Sequence, residues 1–468
     1  MTSRSQPLRG LPAVETLLCH PALAAAGADL PRLILVESVR AELARERVRL
    51  RAGPAELVAV SVLAARALHR AREACRPQLR RVLNATGVVL HTNLGRAPLA
   101  APALVAVAGV AAGYSSLEYD LASGRRGDRG AGVERWLERL TGAEAALAVN
   151  NGAAAVLLVL STLAAGRRVL VSRGELVEIG GSFRIPEILV KSGAALLEVG
   201  TTNRTHLRDY ERALERYEDV AVILRVHPSN FRLEGFTARP GLDELAALAR
   251  RRRVPLIEDL GSGALVDLAS FGLTHEPTVG ESLAAGCDVV TCSGDKLLGG
   301  SQAGLILGKR KWLAMVRKDP LARAVRLDKL ALAALEATLS LYADPERAAR
   351  EVPVLAMLRL KPEDLEPRAR SLARALEARV PGLRTEVEPG QGEVGGGALP
   401  LERLPGWVVE VIRAGLDARE LEQRARAAEP PVIGTIRAGR WRLDPRTLSD
   451  AELSEVVEVL ARAFAPGD

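Results

Sequence analysis

Short apolar runs alternate with segments of helical spacing from about residue 130 to residue 296, and this alternation constrains the fold more than any other feature. In chain order the apolar runs are ALAV at 146–149, VLVS at 169–172, ALLEVG at 195–200, VAVILRV at 220–226, VPLIEDL at 254–260 and DVVTCSGDK at 288–296. Continuous apolar strands separated by helices are typical of a mostly parallel sheet with helices on both faces. We therefore predict a large α/β domain over residues 78–330.

The flanking regions predict two smaller domains. Residues 1–77 carry apolar residues at helical spacing among Arg and Glu, and Pro77 ends the last helix, so a small helical domain is expected there. Beyond Leu327 the helix-like run DKLALAALEATLSLYA is expected to leave the α/β core. Residues 331–468 then combine Pro- and Gly-rich loops near 381–400 with strand-like runs and a closing helix, which predicts a small α+β domain.

Positive charge is concentrated at the beginning of the chain. The formal net charge is +7, and the first 80 residues, with 13 Arg and no Lys against 7 Asp plus Glu, contribute +6 of it. A basic N-terminal domain favours a polyanionic partner. A solvated helix face in an Arg-rich protein would give the same charge, so charge alone leaves both interpretations open.

The four cysteines form neither a CxxC pair nor a Cys/His cluster, which predicts buried thiols in a reducing compartment and no metal site. The N-terminus lacks a signal-peptide pattern, and no apolar run reaches membrane-spanning length. A cytoplasmic protein with no membrane partner is therefore expected.

The first chemical feature of the α/β region is a turn of small residues. Asn151, Gly152 and Ala153 follow the apolar run ALAV and precede a helical pattern. Small residues at a helix N-terminus let backbone amides approach a phosphate, and the helix dipole favours the anion. An ordinary turn into a helix is the alternative interpretation.

The second feature is a carboxylate at the end of the strand VPLI. Asp259 lies there, followed by the glycine-rich turn LGSG. A carboxylate in this position can pair with a protonated pyridine nitrogen, which keeps the ring electron-poor. An acidic helix cap is the alternative.

The third feature is a lysine at the end of the strand VVTC. Ser293, Asp295 and Lys296 follow this strand, at the edge where parallel sheets bind ligands. A lysine held there can lose its proton and form an imine, and Ser293 can help to hold a phosphate. An exposed loop lysine is the alternative, but the three features in this order together predict a pyridoxal-phosphate enzyme with Lys296 as the Schiff-base residue.

Long blocks of the chain also resemble one enzyme family, the bacterial L-seryl-tRNA(Sec) selenium transferases, also called selenocysteine synthases. These blocks are RVLNATGVVLHTNLGRAPL, RGELVEIGGSFRIPEI, RVHPSNFRLEGF, EDLGSGALVDL, SGDKLLGGSQAG and DPLARAVRLDKLALAALEATL. The resemblance runs from about residue 10 to the end of the sequence. It implies the aspartate-aminotransferase-like fold (fold type I) of pyridoxal-phosphate enzymes.

The resemblance also implies roles for single residues. Lys296 matches the family's Schiff-base lysine and Asp259 the partner of the pyridine nitrogen. Asn151, Gly152 and Ala153 fall in the expected phosphate turn. His227 would contact or stack on the cofactor ring, although a structural histidine at a strand end is an equal alternative.

Further matches concern catalysis and the selenium donor. Asp295 would orient Lys296 or assist proton transfer. Arg96, Arg323 and Arg326 match positions near the family's active site and would clamp selenophosphate, a small polyanion. Because Arg323 and Arg326 are three residues apart, a helix would place them on one face. They could serve the cofactor site of a neighbouring subunit.

The implied reaction converts L-seryl-tRNA(Sec) to L-selenocysteinyl-tRNA(Sec) through a cofactor-bound aminoacrylyl intermediate, with selenophosphate as the selenium donor. The resemblance assigns tRNA binding to the basic N-terminal domain and implies a homodecamer, a ring of dimers. One departure is Ala398 in GGGALP, where the family would have a serine.

Two other functions remain open from the sequence. One is a related pyridoxal-phosphate lyase that acts on a small amino acid or amino sugar. The other is a non-catalytic tRNA-binding scaffold on an enzyme fold. The basic N-terminal domain argues against the lyase, and the presence of both Lys296 and Asp259 argues against the scaffold.

Overall fold

The computed structural model describes residues 10–52, 56–179 and 183–465. The chain divides into two compact units, Met1–Arg81 and Val82–Asp468. The second unit contains both the α/β region and the C-terminal region, so the boundary at residue 330 stays a prediction.

The first unit is helical, as the sequence predicts. Its helices are α1 (Val14–Leu18), α2 (Pro21–Ala26), α3 (Arg32–Ala52) and α4 (Val60–Cys75). Apolar residues three or four positions apart on α3 and α4 face a common core, which contains Leu35, Val39, Leu43, Leu63, Ala67 and Ala71. The alternation of apolar and charged residues in this region is therefore the pattern of amphipathic helices.

A seven-stranded sheet forms the centre of the second unit. Its strands are, in chain order, β1 (Ala145–Val149), β2 (Arg168–Ser172), β3 (Ala195–Val199), β4 (Val220–Val226), β5 (Leu256–Gly261), β6 (Val289–Ser293) and β7 (Gly304–Gly308). Across the sheet the order is β1-β7-β6-β5-β4-β2-β3, and only β7 runs antiparallel to its neighbours. The carboxyl ends of the six parallel strands therefore lie at one edge of the sheet.

Both faces of this sheet are buried, which explains why its strands read as continuous apolar runs. In β2, Val169 and Val171 belong to one apolar cluster, whereas Leu170 between them belongs to the cluster on the opposite face. Successive side chains of a strand point to opposite faces, so most positions of a doubly covered strand are apolar. The prediction of a mostly parallel sheet between helices is confirmed.

The helices of the second unit cover the sheets and connect their strands. In chain order they are α5 (Ala101–Ala111), α6 (Ala131–Thr141), α7 (Gly152–Ala164), α8 (Ile185–Lys191), α9 (Leu207–Arg216), α10 (Leu242–Arg252), α11 (Val279–Ala285), α12 (Arg310–Lys318), α13 (Pro320–Ala324), α14 (Lys329–Leu341), α15 (Pro345–Glu351), α16 (Pro353–Arg359), α17 (Pro362–Arg379), α18 (Ala418–Ala427) and α19 (Asp450–Ala463). The expectation that the chain leaves the α/β core after Leu327 is wrong for α14. Leu332, Leu335 and Leu339 of this helix lie in the apolar cluster of the large sheet, because their spacing gives α14 an apolar face toward it.

A second sheet of five strands follows in the C-terminal region. In spatial order its strands are Thr435–Arg437, Arg440–Leu443, Arg403–Arg413, Leu383–Gly395 and Val88–Leu90, and only the last pairing is parallel. Three two-stranded pairs complete the strands: Leu83–Asn84 with Val432–Ile433, Tyr119–Asp120 with Arg125–Arg126, and Glu178–Ile179 with Phe183–Arg184. The strand Val88–Leu90 thus joins a sheet whose other strands lie some 300 residues later in the chain.

The predicted loops near residues 381–400 are wrong over most of their length. Residues Leu383–Gly395 form one continuous strand that pairs with Arg403–Arg413 along its whole length. Pro389 is tolerated because the strand on its other side, Val88–Leu90, pairs only near Glu393 and Gly395. Pairing with a long partner strand outweighs the local preference of Pro and Gly for turns.

Candidate active site

The three predicted features meet at the carboxyl edge of the large sheet. Asp259 lies in β5, and its Oδ1 accepts a hydrogen bond of 2.9 Å from Thr291 Oγ1 in β6. A Cβ atom added to Gly152, the first residue of α7, would lie 2.8 Å from Ser293 Oγ at the end of β6. The turn after β1, the carboxylate of β5 and the segment after β6 therefore border one site.

Lys296 is buried in this site, with 7% of its surface exposed. Burial lowers the pKa of its amine, the charge of Asp259 opposes this shift, and the charge of Arg96 adds to it. Among the described residues, none hydrogen-bonds to the amine, and Asp295, its chain neighbour, is paired with Arg96 instead. The site therefore favours a neutral amine, which is the nucleophilic form.

A glycine leaves room for the amine of Lys296. A Cβ atom on Gly397 would clash with Lys296 Nζ, whereas one on Gly261 would lie at an ordinary contact distance of 3.9 Å. Gly397 has a φ of +89°, which other residues rarely adopt. The sequence shows the GGG run at 395–397, but its contact with Lys296 is a long-range feature that spacing alone does not reveal.

Asp259 is equally buried, with 7% of its surface exposed. Burial raises the pKa of its carboxyl, whereas the hydrogen bond from Thr291 and the charge of Lys296 lower it. A buried carboxylate of this kind is stabilised by a positive group such as a protonated pyridine nitrogen. Thr291 was not predicted as a site residue, and its register opposite Asp259 in the parallel β5–β6 pairing is what places it there.

The predicted phosphate turn is the N-terminus of α7. The side chain of Asn151 caps this helix by accepting a hydrogen bond of 2.8 Å from the Ala154 amide. The amides of Gly152 and Ala153 are the first two of the helix and have no intrahelical acceptor. An anion would therefore be held by these two amides, while the Asn151 side chain shapes the turn.

Arg96 and Asp295 form an ion pair next to Lys296. Arg96 Nη1 lies 2.7 Å from Asp295 Oδ2, and Asp295 is buried. Arg96 also has a φ of +64°, a strained value for a residue with a side chain. The carboxylate of Asp295 therefore orients Arg96, and it affects Lys296 only through its charge.

Arg323 and Arg326 do not share a helix face, so that expectation is wrong. Helix α13 ends at Ala324, and Arg326 forms an isolated bridge with Val149 at the end of β1. The backbone is drawn away from the helical path because the Asn150 amide donates to the carbonyl of Val325 at 2.9 Å. Arg323 is exposed, and Arg326 pairs with Glu118 at 3.2 Å.

His227 lies directly after β4 and beside Asp259. Its amide donates to the carbonyl of Asp259 at 2.9 Å, and its Nε2 lies 3.2 Å from Glu276 Oε1. The ring is therefore anchored by a buried carboxylate at the border of the site. Ala398, the departure from the family pattern, is fully buried in an apolar cluster.

The residues present fit a pyridoxal phosphate. The hydroxyls of Ser229 and Ser262 are buried near Gly261 and find no hydrogen-bond partner among the described residues, so polar groups of a ligand would satisfy them. The turn at Gly152 leaves a cradle that any larger side chain would fill. A carboxylate, an amine and open helix amides thus match the ring nitrogen, the aldehyde and the phosphate of the cofactor.

Within the described residues, His, Cys, Asp and Glu form no group of three or more that could hold a metal ion. No helix in the described ranges is long and apolar enough to cross a membrane.

Comparison with known proteins identifies the family. The L-seryl-tRNA selenium transferase model matches residues 82–449, and the selenocysteine synthase N-terminal model matches residues 8–47. The L-seryl-tRNA(Sec) selenium transferase of Nitratidesulfovibrio vulgaris is 51% identical over 465 residues, which cover 97% of this chain and 98% of the relative. That of Desulfomicrobium baculatum is 50% identical over 465 residues, which cover 98% and 100%.

Solved structures agree on the fold. A structure of D-glucosaminate-6-phosphate ammonia-lyase aligns with a TM-score of 0.55 and 22% identity, covering 83% of this chain and 97% of that one. This likeness confirms the predicted aspartate-aminotransferase-like architecture, fold type I, and concerns the fold alone. With matching family models over both of its units and relatives about 50% identical over nearly their full length, the chain belongs to the L-seryl-tRNA selenium transferase family.

Proposed function

We propose that this protein converts L-seryl-tRNA(Sec) to L-selenocysteinyl-tRNA(Sec), with pyridoxal phosphate as its cofactor and selenophosphate as the selenium donor. The observation that carries the proposal is Lys296, a buried lysine whose pKa is lowered, at a strand end beside the buried carboxylate of Asp259. A pair of this kind is poorly explained by folding, since each charge is costly to bury.

The cofactor would be held by residues of the carboxyl edge. Lys296 would bind its aldehyde carbon, Asp259 its ring nitrogen, and Ser293 with the amides of Gly152 and Ala153 its phosphate. His227 and the cap residue Asn151 border the same space. When bound, the ring withdraws electrons from the α-carbon of the seryl group, so that the α-proton can be removed and the β-hydroxyl can leave.

Lys296 would also act as the base. With the cofactor and the seryl group bound, Lys296 Nζ would be placed to accept the α-proton. Burial lowers the pKa of this amine, and the paired Arg96 adds to the effect, so the amine is neutral at a lower pH than an exposed lysine. Asp295, through its bond to Arg96, would hold the cationic group in place.

The selenium donor is a small polyanion and needs cations. Arg96 is a cation whose charge acts on Lys296, and it pairs with Asp295, the preceding residue in the chain. Arg326 bridges Val149 at the end of β1, directly before the phosphate turn, and Arg323 is exposed; we propose that the two arginines complete the cofactor site of a neighbouring subunit.

The helical first unit would bind the tRNA body. Most of its arginines are exposed, and two of them, Arg49 and Arg70, pair with the buried carboxylates of Glu46 and Glu42 on α3. Exposed arginines supply contacts to phosphates that do not depend on base sequence.

We further propose assembly into a homodecamer, a ring of dimers, in the cytoplasm. Helix α5 supports an interface between subunits, since its eleven residues, APALVAVAGVA, are all apolar or glycine and only Ala103 is buried. Leu104 and Val105 are 56% and 72% exposed, and Tyr114 follows fully exposed. An apolar surface of this extent is typical of a protein–protein contact.

An assay with purified full-length protein, pyridoxal phosphate, seryl-tRNA(Sec) and selenophosphate tests the function. We expect selenium-dependent formation of selenocysteinyl-tRNA, detected by hydrolysing the ester and identifying the amino acid. Turnover of a free amino acid or amino sugar without this product would reverse the assignment in favour of a lyase.

A further inference from the structure

A cavity of about 270 Å³ lies beside the candidate active site, at the carboxyl ends of β2 and β4. Its lining includes Ser172, Thr201, Asn203, Val226, Phe231 and Arg239, and we call it the strand-end pocket. It borders the active site through Pro228, which also lines it and follows His227, the residue bonded to Asp259. None of the residues assigned to the cofactor or the selenium donor lines this pocket.

The loop between β4 and α10, which lines the pocket, is rich in phenylalanine for this chain. Aromatic residues make up only 3% of the chain, yet two of its five phenylalanines, Phe231 and Phe236, lie within this one loop. Phe231 is half-buried in the pocket wall, whereas Phe236 is 81% exposed. Phe236 therefore offers an exposed ring on which a base can stack.

Polar contacts attach Phe236 to the mouth of the pocket. Asn203 Nδ2 donates to the carbonyl of Phe236 at 2.6 Å, and the guanidinium of Arg204 lies 5.7 Å from the centre of the Phe236 ring. An aromatic ring beside a guanidinium is a common surface for an unpaired base of a nucleic acid.

The pocket also opens toward the reacting groups. Phe231, Arg232 and Arg239 line both the strand-end pocket and a second cavity, which His227 borders on the other side. A ligand can therefore place its base in the pocket, its phosphates near the two arginines, and its reacting end toward His227 and Lys296.

We propose that the strand-end pocket binds the 3′-terminal nucleoside of the substrate tRNA, with the base stacked on Phe231 and the preceding nucleotide on Phe236. The proposal rests on the proposed function, in which the seryl group is an ester of the terminal ribose, so the terminal nucleoside must lie next to the reacting carbon. Thr201 and Asn203 offer hydrogen bonds to the base edge. A site for a small anion alone would have no use for Phe231 and Val226.

A double-mutant cycle between protein and tRNA tests this proposal without turnover. Equilibrium binding of the full-length holoenzyme is measured with uncharged tRNA(Sec) and with the same tRNA lacking its terminal adenosine, for wild type and for Phe231→Ala. We expect each single change to weaken binding about tenfold and the combination to be little worse than either alone, because both remove one stacking contact.

Phe231→Tyr, which keeps the ring, should bind both tRNAs as wild type does. Arg204→Ala should weaken binding of the full-length tRNA, whereas Arg208→Ala, an exposed arginine on α9, should not. The same cycle is measured with Phe236→Ala and a tRNA that lacks its last two nucleotides. Phe236 is so exposed that its replacement should not affect folding.

Additive effects of Phe231→Ala and the truncation would overturn the proposal, as would unchanged binding. A shift only in the selenophosphate concentration needed for half-maximal activity would also overturn it and make the pocket an anion site. Either result is compatible with product formation, so it is distinguishable from failure of the proposed function itself.

Discussion

Two buried basic side chains of the second unit differ in what surrounds them. Arg446, beside the C-terminal sheet, is 1% exposed and donates to the carbonyls of Met357, Leu360 and Pro405 at 2.7–3.0 Å. Lys296, at the edge of the large sheet, is also buried, but its amine has no such partners among the described residues.

The difference separates structure from chemistry. A buried cation that hydrogen-bonds to the carbonyls of several segments stabilises those segments, whereas a buried amine without hydrogen-bond partners costs stability and is kept for its reactivity. The two sheets differ in the same way. Arg446 joins segments around the C-terminal sheet, whereas Lys296 at the edge of the large sheet is left available to a ligand.

The largest effect is expected at Lys296, the buried amine without a hydrogen-bond partner among the described residues. Lys296→Ala should reduce formation of selenocysteinyl-tRNA by roughly a thousandfold or more, because it removes both the cofactor anchor and the base. The fold should persist, and the visible absorbance of the lysine-bound cofactor should disappear. Lys309→Ala is the control, since Lys309 follows β7 at the opposite edge, where it pairs with Asp288 at 2.8 Å. A Lys296→Ala protein that still turns over would break the comparison.

The opposite result is expected at Arg446, where a substitution should reduce stability and leave activity unchanged. Arg446→Met should lower the free energy of unfolding by about 3 kcal/mol, because several buried carbonyls lose their donor. Protein that remains folded should keep its activity per molecule. Denaturant titration measures the first effect, and Arg440→Met, at an exposed arginine of the same sheet, is the control. If Arg446→Met unfolds no more easily than the control, the carbonyl contacts do not stabilise the region.

The smallest effect concerns the charges around Lys296. The charge of Arg96 lowers the pKa of Lys296, and the charge of Asp295 raises it. Arg96→Gln should therefore move the pH at which apoprotein combines with pyridoxal phosphate upward, and Asp295→Asn should move it downward, each by less than about one unit. The rate of cofactor binding, followed by absorbance across a pH series, measures both. Shifts in the same direction would show that the pair acts through geometry and not through charge.

The sequence predicts the large sheet well because the burial of each strand determines the residues of that strand alone. Burial of both faces makes the strand Val220–Val226 apolar at every position except Arg225, and this pattern is visible without any long-range knowledge. Lys296 and Asp259 are found for the same reason, since a charged residue at or just after the end of an apolar strand is conspicuous. Their catalytic roles remain predictions until they are tested.

The rest depends on pairings between distant segments. Arg96 and Asp295 are 199 residues apart, and nothing in either neighbourhood indicates their ion pair. The strand Leu383–Gly395 looks like a loop because its Pro and Gly favour turns, and only its partner strand makes it extended. Arg326 leaves the helical path for a bridge with Val149, which spacing within its own segment cannot reveal.

The strand Leu383–Gly395, whose end pairs in parallel with Val88–Leu90, carries Gly397 to its place against Lys296. Gly397 is synthesised about a hundred residues later than Lys296, which is a delay of roughly 5–20 s at bacterial rates of translation. During this interval the lysine is present without the segment that covers it. The cofactor site is therefore completed only near the end of synthesis, and a chain that stops early exposes an uncovered amine in place of an enzyme.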